Sequence, residues 1–443
     1  MTTRATRIDL FSLKTVQMRT FHLTWLAFFI CFFGWFSHAP LVPATIGPEL
    51  GLSREQILGA FIGSVGITVF ARVLIGWACD AWGPRLAYTG LLVFGAFAVG
   101  SSALATTWPT YLASRLAIGV IGASFVITQY HTTVMFAPNV VGIANATTAG
   151  WGNVGGGVTQ AVMPMVAAAM LSMGFATSEL AKWRPAMLFP AVAMLVIAYL
   201  YFRYTTDCPE GNYSDLPEKR PTASQAGPHP FWEACADRRV WLLFFVYAGC
   251  FGLELFVNGR AASYYQHRFG LAETSAGFIA ALFGLVNVFA RSLGGWFGDR
   301  FAAKSGLSGR VRWLVLTMVA EGVALLVFSR MGMLTAAVAT MILFSTCVQL
   351  AEGATFSVVP FINKRALGPV AGIVGAGGNV GAVLCAQFMM QTGLPLQDCF
   401  LYFGLLAIAI GGAALGVKFS PEVEREAHAE YQAALSGMGG APS

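Results

Sequence analysis

The stretch Phe70-Ala-Arg-Val-Leu-Ile-Gly-Trp-Ala-Cys-Asp80 returns 219 residues later as Phe289-Ala-Arg-Ser-Leu-Gly-Gly-Trp-Phe-Gly-Asp299, with seven identities in eleven positions. A second pair of segments, Gly152-Asn-Val-Gly155 and Gly378-Asn-Val-Gly381, recurs at an offset of 226 residues. Two ordered matches at nearly one spacing indicate a duplicated chain. We therefore predict two like halves arranged in parallel.

The sequence around these segments is strongly apolar. Hydrophobic residues make up 56% of the 443 residues and charged residues 11%, whereas about a quarter of a soluble domain is charged. So few charges cannot coat soluble domains, which excludes a soluble enzyme, a disordered chain and a disulfide-stapled secreted module. Because a spanning helix needs about 20 apolar residues, the length fits a membrane protein of a dozen spans.

Apolar runs bounded by charge, Pro or Gly mark twelve predicted spans. They lie near residues 22–45, 55–79, 86–106, 109–133, 141–173, 185–203, 239–260, 274–298, 312–330, 333–359, 369–393 and 397–419. The predicted fold is an all-α membrane protein with residues 1–204 and 238–420 as two six-helix halves related by a pseudo-two-fold axis, a polar connecting loop at 205–237 and a tail at 421–443. Such a duplication places a substrate site near the bilayer midplane, where the halves meet.

Lys and Arg are concentrated on one predicted side of the membrane. The termini and the connecting loop carry many of them, whereas the other side has little beyond Arg54, Lys182, Arg184, Arg268 and Arg330. By the positive-inside rule both termini and the loop are cytoplasmic.

The net charge of +6 is spread too thinly for a nucleic-acid surface, and eight Cys without a C-x-x-C pair predict neither a metal site nor a disulfide. Six scattered His provide no nucleophile–base pair, so we expect no enzyme.

Two arginines lie inside predicted spans at equivalent positions of the repeat. Arg72 and Arg291 each precede the repeated Asp by eight residues, which puts them about 12 Å along the helix from its cytoplasmic end. A lipid-facing Arg near the bilayer centre costs about 2.5–3.5 kcal/mol, so we expect both to face the interior, opposite each other. Since a guanidinium binds a planar oxyanion through two parallel hydrogen bonds, the pair predicts a small-anion site. The alternative is that each Arg is paired with a carboxylate, and Glu254 or Glu352 could reach.

The fifth and eleventh spans carry a Gly/Asn pattern that is unusual within apolar helices. Close helix packing explains glycines at this spacing, but it does not explain Asn153 and Asn379, which are expensive in lipid. We expect both amides to lie near the bound anion. The residues assigned to this pattern are Asn153, Gly152, Gly155 and Gly156 in the fifth span, and Asn379, Gly378 and Gly381 in the eleventh.

A short loop motif follows the second span. Gly76-Trp-Ala-Cys-Asp80-Ala-Trp-Gly83-Pro-Arg85 fits the pattern G-x-x-x-D-x-x-G-x-[RK], whereas the second half keeps Gly295 and Asp299 and loses the later Gly. A carboxylate at a helix end and a turn Gly suit a loop that grips neighbouring helices in one gating state. This motif resembles that of the major facilitator superfamily.

Together with the paired Arg and Gly/Asn segments, the chain resembles the nitrate/nitrite porter family of that superfamily. The segments Asp207-Cys-Pro-Glu-Gly-Asn-Tyr213 and Thr355-Phe-Ser-Val-Val-Pro360 are similar to those of its high-affinity importers in plants, algae and cyanobacteria. The resemblance implies that Arg72 and Arg291 grip nitrate or nitrite in an aromatic-walled site. The matching aromatic positions are Phe32, Phe125, Tyr247, Phe251 and Phe356. It further implies a monomer without cofactor or metal ion, in the plasma membrane, which is the inner membrane of a bacterium.

Carrying an anion into a cell opposes the membrane potential by about 2.3 kcal/mol per 100 mV. Import therefore needs cotransported protons or an anion that leaves in exchange. A proton symporter needs a titratable group in the pathway, and the candidates are Glu254, Glu321 and Glu352. We expect alternating access with proton symport; nitrate/nitrite exchange and transport of another small monovalent anion, such as a short carboxylate, remain open alternatives.

Overall fold

The computed structural model describes residues 4–136, 140–216, 230–363 and 367–427, and their regular secondary structure is helical, with isolated bridges at Ala5–Phe136 and Cys208–Gly211. In chain order the helices are α1 (Val16–Phe36), α2 (Gly47–Leu50), α3 (Arg54–Trp82), α4 (Pro84–Ser102), α5 (Trp108–Gly119), α6 (Ser124–Met135), α7 (Val141–Ser172), α8 (Trp183–Ala186), α9 (Leu188–Tyr204), α10 (Pro230–Ala236), α11 (Arg238–Phe269), α12 (Glu273–Leu285), α13 (Ala290–Ser329), α14 (Leu334–Val358), α15 (Leu367–Thr392) and α16 (Leu396–Ala413).

Eleven helical stretches among the described residues are long and apolar enough to cross a membrane. They coincide with eleven of the twelve predicted spans, and the remaining one, the third, is occupied by the 19-residue helix α4. Two spans are composite. Helices α5 and α6 are joined through a 3-10 turn at Val120–Ala123, and α12 continues through another at Val286–Val288 into α13. The predicted all-α membrane fold is therefore confirmed.

Local turn chemistry moves some boundaries. Helix α1 begins at Val16 because the Thr15 hydroxyl accepts a hydrogen bond from the Met18 N–H at 3.2 Å, and a side-chain cap of this kind fixes a helix start. It ends at Phe36, nine residues before the predicted end, where the chain turns through a segment that contains Pro40. Helix α13 contains the second part of the eighth span and the whole of the ninth, and non-helical backbone at Ser305 and Gly306 separates the two.

By their internal contacts the residues form two compact units. The first comprises Met1–Ser224, Glu254–Val288 and Ala382–Leu396, and the second comprises Gln225–Leu253, Phe289–Gly381 and Gln397–Ser443. The division into residues 1–204 and 238–420 is defined by sequence repetition, not by contacts, and stays a prediction. Much of the connecting loop, residues 217–229, and of the tail, residues 428–443, lies outside the described residues.

Candidate anion-binding site

Arg72 lies on α3 in the first unit and faces an aromatic side chain. Its guanidinium carbon is 5.5 Å from the ring centroid of Phe125 on α6, which is a cation–π distance. The side chain of Arg72 is half-buried. The structure thus brings together two of the residues that the sequence assigns to the anion site in the first half.

Arg291, at the equivalent position in the second unit, is held by a carboxylate and a phenol. One of its terminal nitrogens lies 2.7 Å from Oε2 of Glu352, and the other donates a hydrogen bond to the Tyr247 hydroxyl at 2.8 Å. The side chain is 4% exposed. In this structure Arg291 is therefore paired with a carboxylate, as the alternative interpretation predicted, and the partner is Glu352 on α14. Ion pairing and anion binding use the same donor groups, so they compete at this residue.

Aromatic rings surround Arg291. Tyr247 stacks on Phe251 with ring centroids 5.0 Å apart and meets Phe356 edge-on at 5.1 Å. The guanidinium carbon of Arg291 lies 5.8 Å from the Phe251 ring centroid. Two of the three predicted aromatic residues of the second half, Tyr247 and Phe251, thus adjoin the arginine, and the third, Phe356, packs on Tyr247.

In the first unit the structure adds an aromatic residue that the sequence analysis did not select. Phe28 is fully buried, and its ring centroid lies 4.6 Å from that of Phe32 and 5.8 Å from that of Phe125. Phe28 therefore links the two predicted aromatic residues of this half. The sequence did contain a signal for Phe28. The number of residues between Phe28 and the first Gly/Asn segment is nearly the same as that between Phe251 and the second segment.

The glycines of the paired segments are packing residues. A methyl group on Gly152 would overlap the Phe28 ring, and one on Gly378 would overlap the Phe251 ring. Likewise a methyl group on Gly155 or Gly381 would strike a backbone carbonyl, of Phe29 or of Ala248. Helix α7 thus lies directly on α1, and α15 on α11, through equivalent positions. The glycines let each helix approach close enough to press an aromatic ring into place.

Asn153 and Asn379 are both completely buried. Among the described residues, neither the oxygen nor the nitrogen of the Asn153 amide has a hydrogen-bond partner. A buried polar group left without a partner costs about 1–3 kcal/mol, so a polar ligand or a water molecule would relieve that cost. The glycines around it, Gly152 and Gly156, lie where an added methyl group would meet Phe28 and Phe32, so this part of α7 packs on the aromatic residues of the first unit.

The three predicted proton-coupling carboxylates are fully buried but have different partners. Glu352 pairs with Arg291, as described. Glu254 accepts a hydrogen bond from the Asn287 side chain at 2.8 Å. Within the described part of the chain neither oxygen of Glu321 has a hydrogen-bond partner. Of the three, Glu352 is the one in contact with a predicted anion ligand.

The motif loop after α3 is held by an acidic residue from far along the chain. Gly83 has φ +86°, and the backbone N–H of Arg85 donates to Oδ1 of Asp207 at 2.9 Å. The other carboxylate oxygen accepts the N–H of Tyr213 at 3.0 Å. Burial raises the pKa of the Asp207 carboxyl above its ordinary value, and the N–H groups of Tyr213 and Arg85 offset only part of that rise. Asp207 thus caps the start of α4.

The other motif residues have separate surroundings. The Arg85 side chain donates to the carbonyl oxygen of Phe202 at 2.8 Å and lies over that ring at 4.1 Å. A methyl group added to Gly76 would lie at van der Waals distance from Val126. The side chain of Asp80 lies outside the described residues. The gating role of this motif stays a prediction.

Comparison with known proteins gives a family and a fold. Residues 24–384 match the sequence family described as Major Facilitator Superfamily. The high affinity nitrate transporter 2.5 of Arabidopsis thaliana is 38% identical over 419 residues, covering 90% of this chain and 82% of that protein. The nitrate/nitrite transporter NrtP of Nostoc punctiforme is 28% identical, covering 88% of this chain and 90% of its own.

Solved structures agree on the fold. A bacterial homolog of the human lysosomal transporter Spinster, in an inward-facing and unoccupied conformation, aligns with a TM-score of 0.71 at 15% identity, over 93% of this chain and 100% of that one. The nucleoside transporter NupG aligns with a TM-score of 0.65 at 12% identity, over 91% and 100%. At such identities the likeness concerns the fold alone.

Proposed function

Since this chain belongs to the Major Facilitator Superfamily and, within it, to the high-affinity nitrate transporters, we propose that it imports nitrate, and nitrite as well, by alternating access. It is a multi-pass membrane transporter and not an enzyme. The relatives named for nitrate transport extend from plants and green algae to cyanobacteria. We further propose a monomer in the plasma membrane, or the inner membrane of a bacterium, with both termini in the cytoplasm.

We assign nitrate binding to Arg72 and Arg291. Each guanidinium adjoins an aromatic ring, at 5.5 Å for Phe125 and 5.8 Å for Phe251, so it is presented on an apolar wall. A planar anion accepts two hydrogen bonds from such a fork. The buried Asn153 amide supports the assignment, because its unpaired N–H groups can donate to a third oxygen. Asn379, at the equivalent position, is assigned the same role.

The Arg291–Glu352 contact suggests how protons are coupled to nitrate. Their nitrogen and oxygen are 2.7 Å apart, so a nitrate on Arg291 would lie close to the Glu352 carboxylate. Two negative charges at such a distance repel strongly where little water enters. A proton on Glu352 removes the repulsion and frees the guanidinium for the substrate. Proton and nitrate therefore favour each other's binding, and by linkage the coupling is reciprocal.

The direction of transport makes this coupling useful. Nitrate moving inward alone opposes the membrane potential by about 2.3 kcal/mol per 100 mV. A proton entering on Glu352 cancels that charge, and any further proton makes import favourable. We therefore assign symport, with Glu352 as the proton site.

The test is nitrate uptake and counterflow in proteoliposomes with an imposed pH gradient. We expect an inside-alkaline gradient to drive uptake by the unaltered chain. Glu352→Gln should abolish the response to the gradient while nitrate counterflow persists, because the neutral amide mimics the protonated side chain. Glu321→Gln is the matched control and should keep the response, since Glu321 is equally buried but contacts no predicted ligand.

Other outcomes identify the alternatives. Uptake that ignores the gradient and requires internal nitrite would establish exchange and refute symport. Uptake of formate in preference to nitrate would reassign the substrate to a short carboxylate. Loss of the gradient response in Glu321→Gln alone would move the proton site to Glu321.

A further inference from the structure

Arg260 on α11 is a buried cation that the binding site described above does not use. Its side chain is 8% exposed, and among residues 4–136, 140–216, 230–363 and 367–427 it forms neither an ion pair nor a hydrogen bond. Each of these unpartnered nitrogen atoms keeps some accessible surface. The donors of this guanidinium are therefore not fully enclosed, and within the described residues none of them is occupied.

Further cationic and hydroxyl groups of the first unit lie around it. The positive charges of Arg115 and Arg260 both act on the Tyr111 hydroxyl, and the charge of Arg54 acts on Arg260. Arg54 is fixed in place, because it donates to the carbonyl oxygen of Gly393 at 2.7 Å and to that of Leu394. These residues come from helix ends on the side predicted to be extracellular.

Arg115 adds a second buried charge without a counterion. It is 8% exposed and its Nη1 lies 3.2 Å from the carbonyl oxygen of Trp35 and 3.3 Å from Nδ1 of His38. Within the described residues neither Arg115 nor Arg260 has an acidic partner within 4 Å. The acidic residue next in sequence to Arg54 is Glu55, which lies at the exposed start of α3.

A buried charge without a partner is unfavourable, since the surroundings do not replace its hydration. The Arg291 guanidinium is relieved by Glu352, whereas no acidic side chain of the described residues pairs with Arg260. A small anion would supply the missing charge. The anion would accept hydrogen bonds from the Arg260 guanidinium and from the Tyr111 hydroxyl. The positive charges of Arg54 and Arg115 would stabilise it further.

We propose that Arg260 and Tyr111 form an outer binding site for a small inorganic oxyanion, in which nitrate is captured on the extracellular side before it passes to Arg72 and Arg291. This inference rests on the proposed nitrate transport. A positive, water-poor site raises the local concentration of the substrate and its rate of association. The outer site thus supports uptake at low external nitrate.

The first experiment measures initial uptake of nitrate into proteoliposomes over a range of concentrations. Arg260→Gln should raise KM by about tenfold, the low end of the gain from electrostatic attraction, while kcat stays within about twofold. Arg268→Gln is the matched control, because it removes the same charge from an exposed position near the same end of α11. It should leave KM unchanged.

The second experiment separates the outer site from the central one by binding alone. In the chain with Arg72→Lys and Arg291→Lys, sodium nitrate in place of sodium chloride at constant ionic strength should still raise Tm. Adding Arg260→Gln should abolish that rise, and adding Arg268→Gln should preserve it.

An unchanged KM in a folded Arg260→Gln chain, or no nitrate-dependent rise in Tm in the Arg72→Lys, Arg291→Lys chain, overturns the outer site. If Arg260→Gln does not fold, Arg260→Lys decides, since it keeps the charge and loses the planar fork. A raised KM then supports the site and an unchanged KM overturns it. An unaltered chain that takes up no nitrate refutes the proposed function itself, which is a distinguishable result.

Discussion

Arg72 and Arg291 occupy equivalent positions of the repeat, yet their side chains differ in burial. Arg72 is half-buried beside Phe125, whereas Arg291 is 4% exposed and paired with Glu352. If both arginines bind the same anion, as proposed, the two halves of the site interact with it differently. In the proposed symport mechanism, Arg291 is the arginine whose release depends on protonation of Glu352, so it is the one that responds to the proton gradient.

Replacing either arginine by lysine tests the requirement for a planar fork. Arg72→Lys or Arg291→Lys keeps the positive charge but loses bidentate binding. We expect each to abolish high-affinity nitrate uptake, with a KM increase of about a hundredfold or a loss below detection, which corresponds to about 2.7 kcal/mol. The measurement is concentration-dependent uptake in proteoliposomes, with Tm as the control for folding. Near-normal kinetics in both folded variants would remove the binding role assigned to them.

At the residue scale, the partners of individual side chains could not be predicted, because they lie far apart in the sequence. The repeat selected Arg291, but the choice between Glu254 and Glu352 as its partner needed the packing of α14 against α13. Arg115 and Arg260 went unselected because neither belongs to the repeated segments, although Arg115 is a charge inside a predicted span and Arg260 is the last residue of another. For Arg115 its position within an apolar run was a signal.

At the scale of elements, the start of α4 shows how a loop can be fixed by a distant carboxylate. Asp207 follows α9 and accepts the N–H of Arg85, 122 residues earlier in the chain. A Cβ atom on Gly83 would collide with the Asp207 carboxylate, and the φ of Gly83, +86°, is one that L-residues rarely adopt. The glycine of the motif is therefore required by the cap and by the backbone.

Gly83→Ala should destabilise the protein by about 1–3 kcal/mol, because a residue with a side chain is strained at this φ. Gly90→Ala is the matched control on α4: nothing lies within 4 Å of the added methyl group. In a helix interior that change should stabilise by about 1 kcal/mol. Thermal unfolding in detergent gives both values. Equal Tm values for the two variants would show that the Asp207 cap does not need this glycine.

The elements themselves were predictable for a simple reason. A span must satisfy its backbone internally and show an apolar surface to lipid, so each leaves a long apolar run in the sequence. The predicted and observed helices differ mainly at turns, as at Pro40, where local geometry ends α1 inside an apolar run. The same regularity hid the roles of individual residues, since a packing Phe and a site Phe such as Phe28 look alike in such a run.

At the scale of the molecule, the uneven distribution of Lys and Arg predicts the orientation in the membrane. The turn between α7 and α9 contains Ser178, and the segment after α9 contains Ser214; both residues are exposed. The positive-inside rule places Ser178 outside and Ser214 in the cytoplasm. None of the eight native cysteines forms a disulfide, seven are buried and Cys235 is partly exposed, so background labelling is low.

Cysteine labelling of whole cells checks this orientation. A membrane-impermeant maleimide should label Ser178→Cys in intact cells and should label Ser214→Cys only after the cells are permeabilised. The unaltered chain measures the contribution of Cys235. The opposite pattern would reverse the orientation and place the outer anion site of Arg260 in the cytoplasm.

The break within α13 has a practical consequence for protein engineering. Ser308 resumes the helix after Ser305 and Gly306, and its N–H donates at 3.2 Å to the carboxylate of Glu424, near the end of the described chain. A helix start needs such an acceptor. Purification tags and fluorescent fusions therefore belong beyond Glu424, whereas trimming the chain before Glu424 would remove the acceptor at the start of an interior helix.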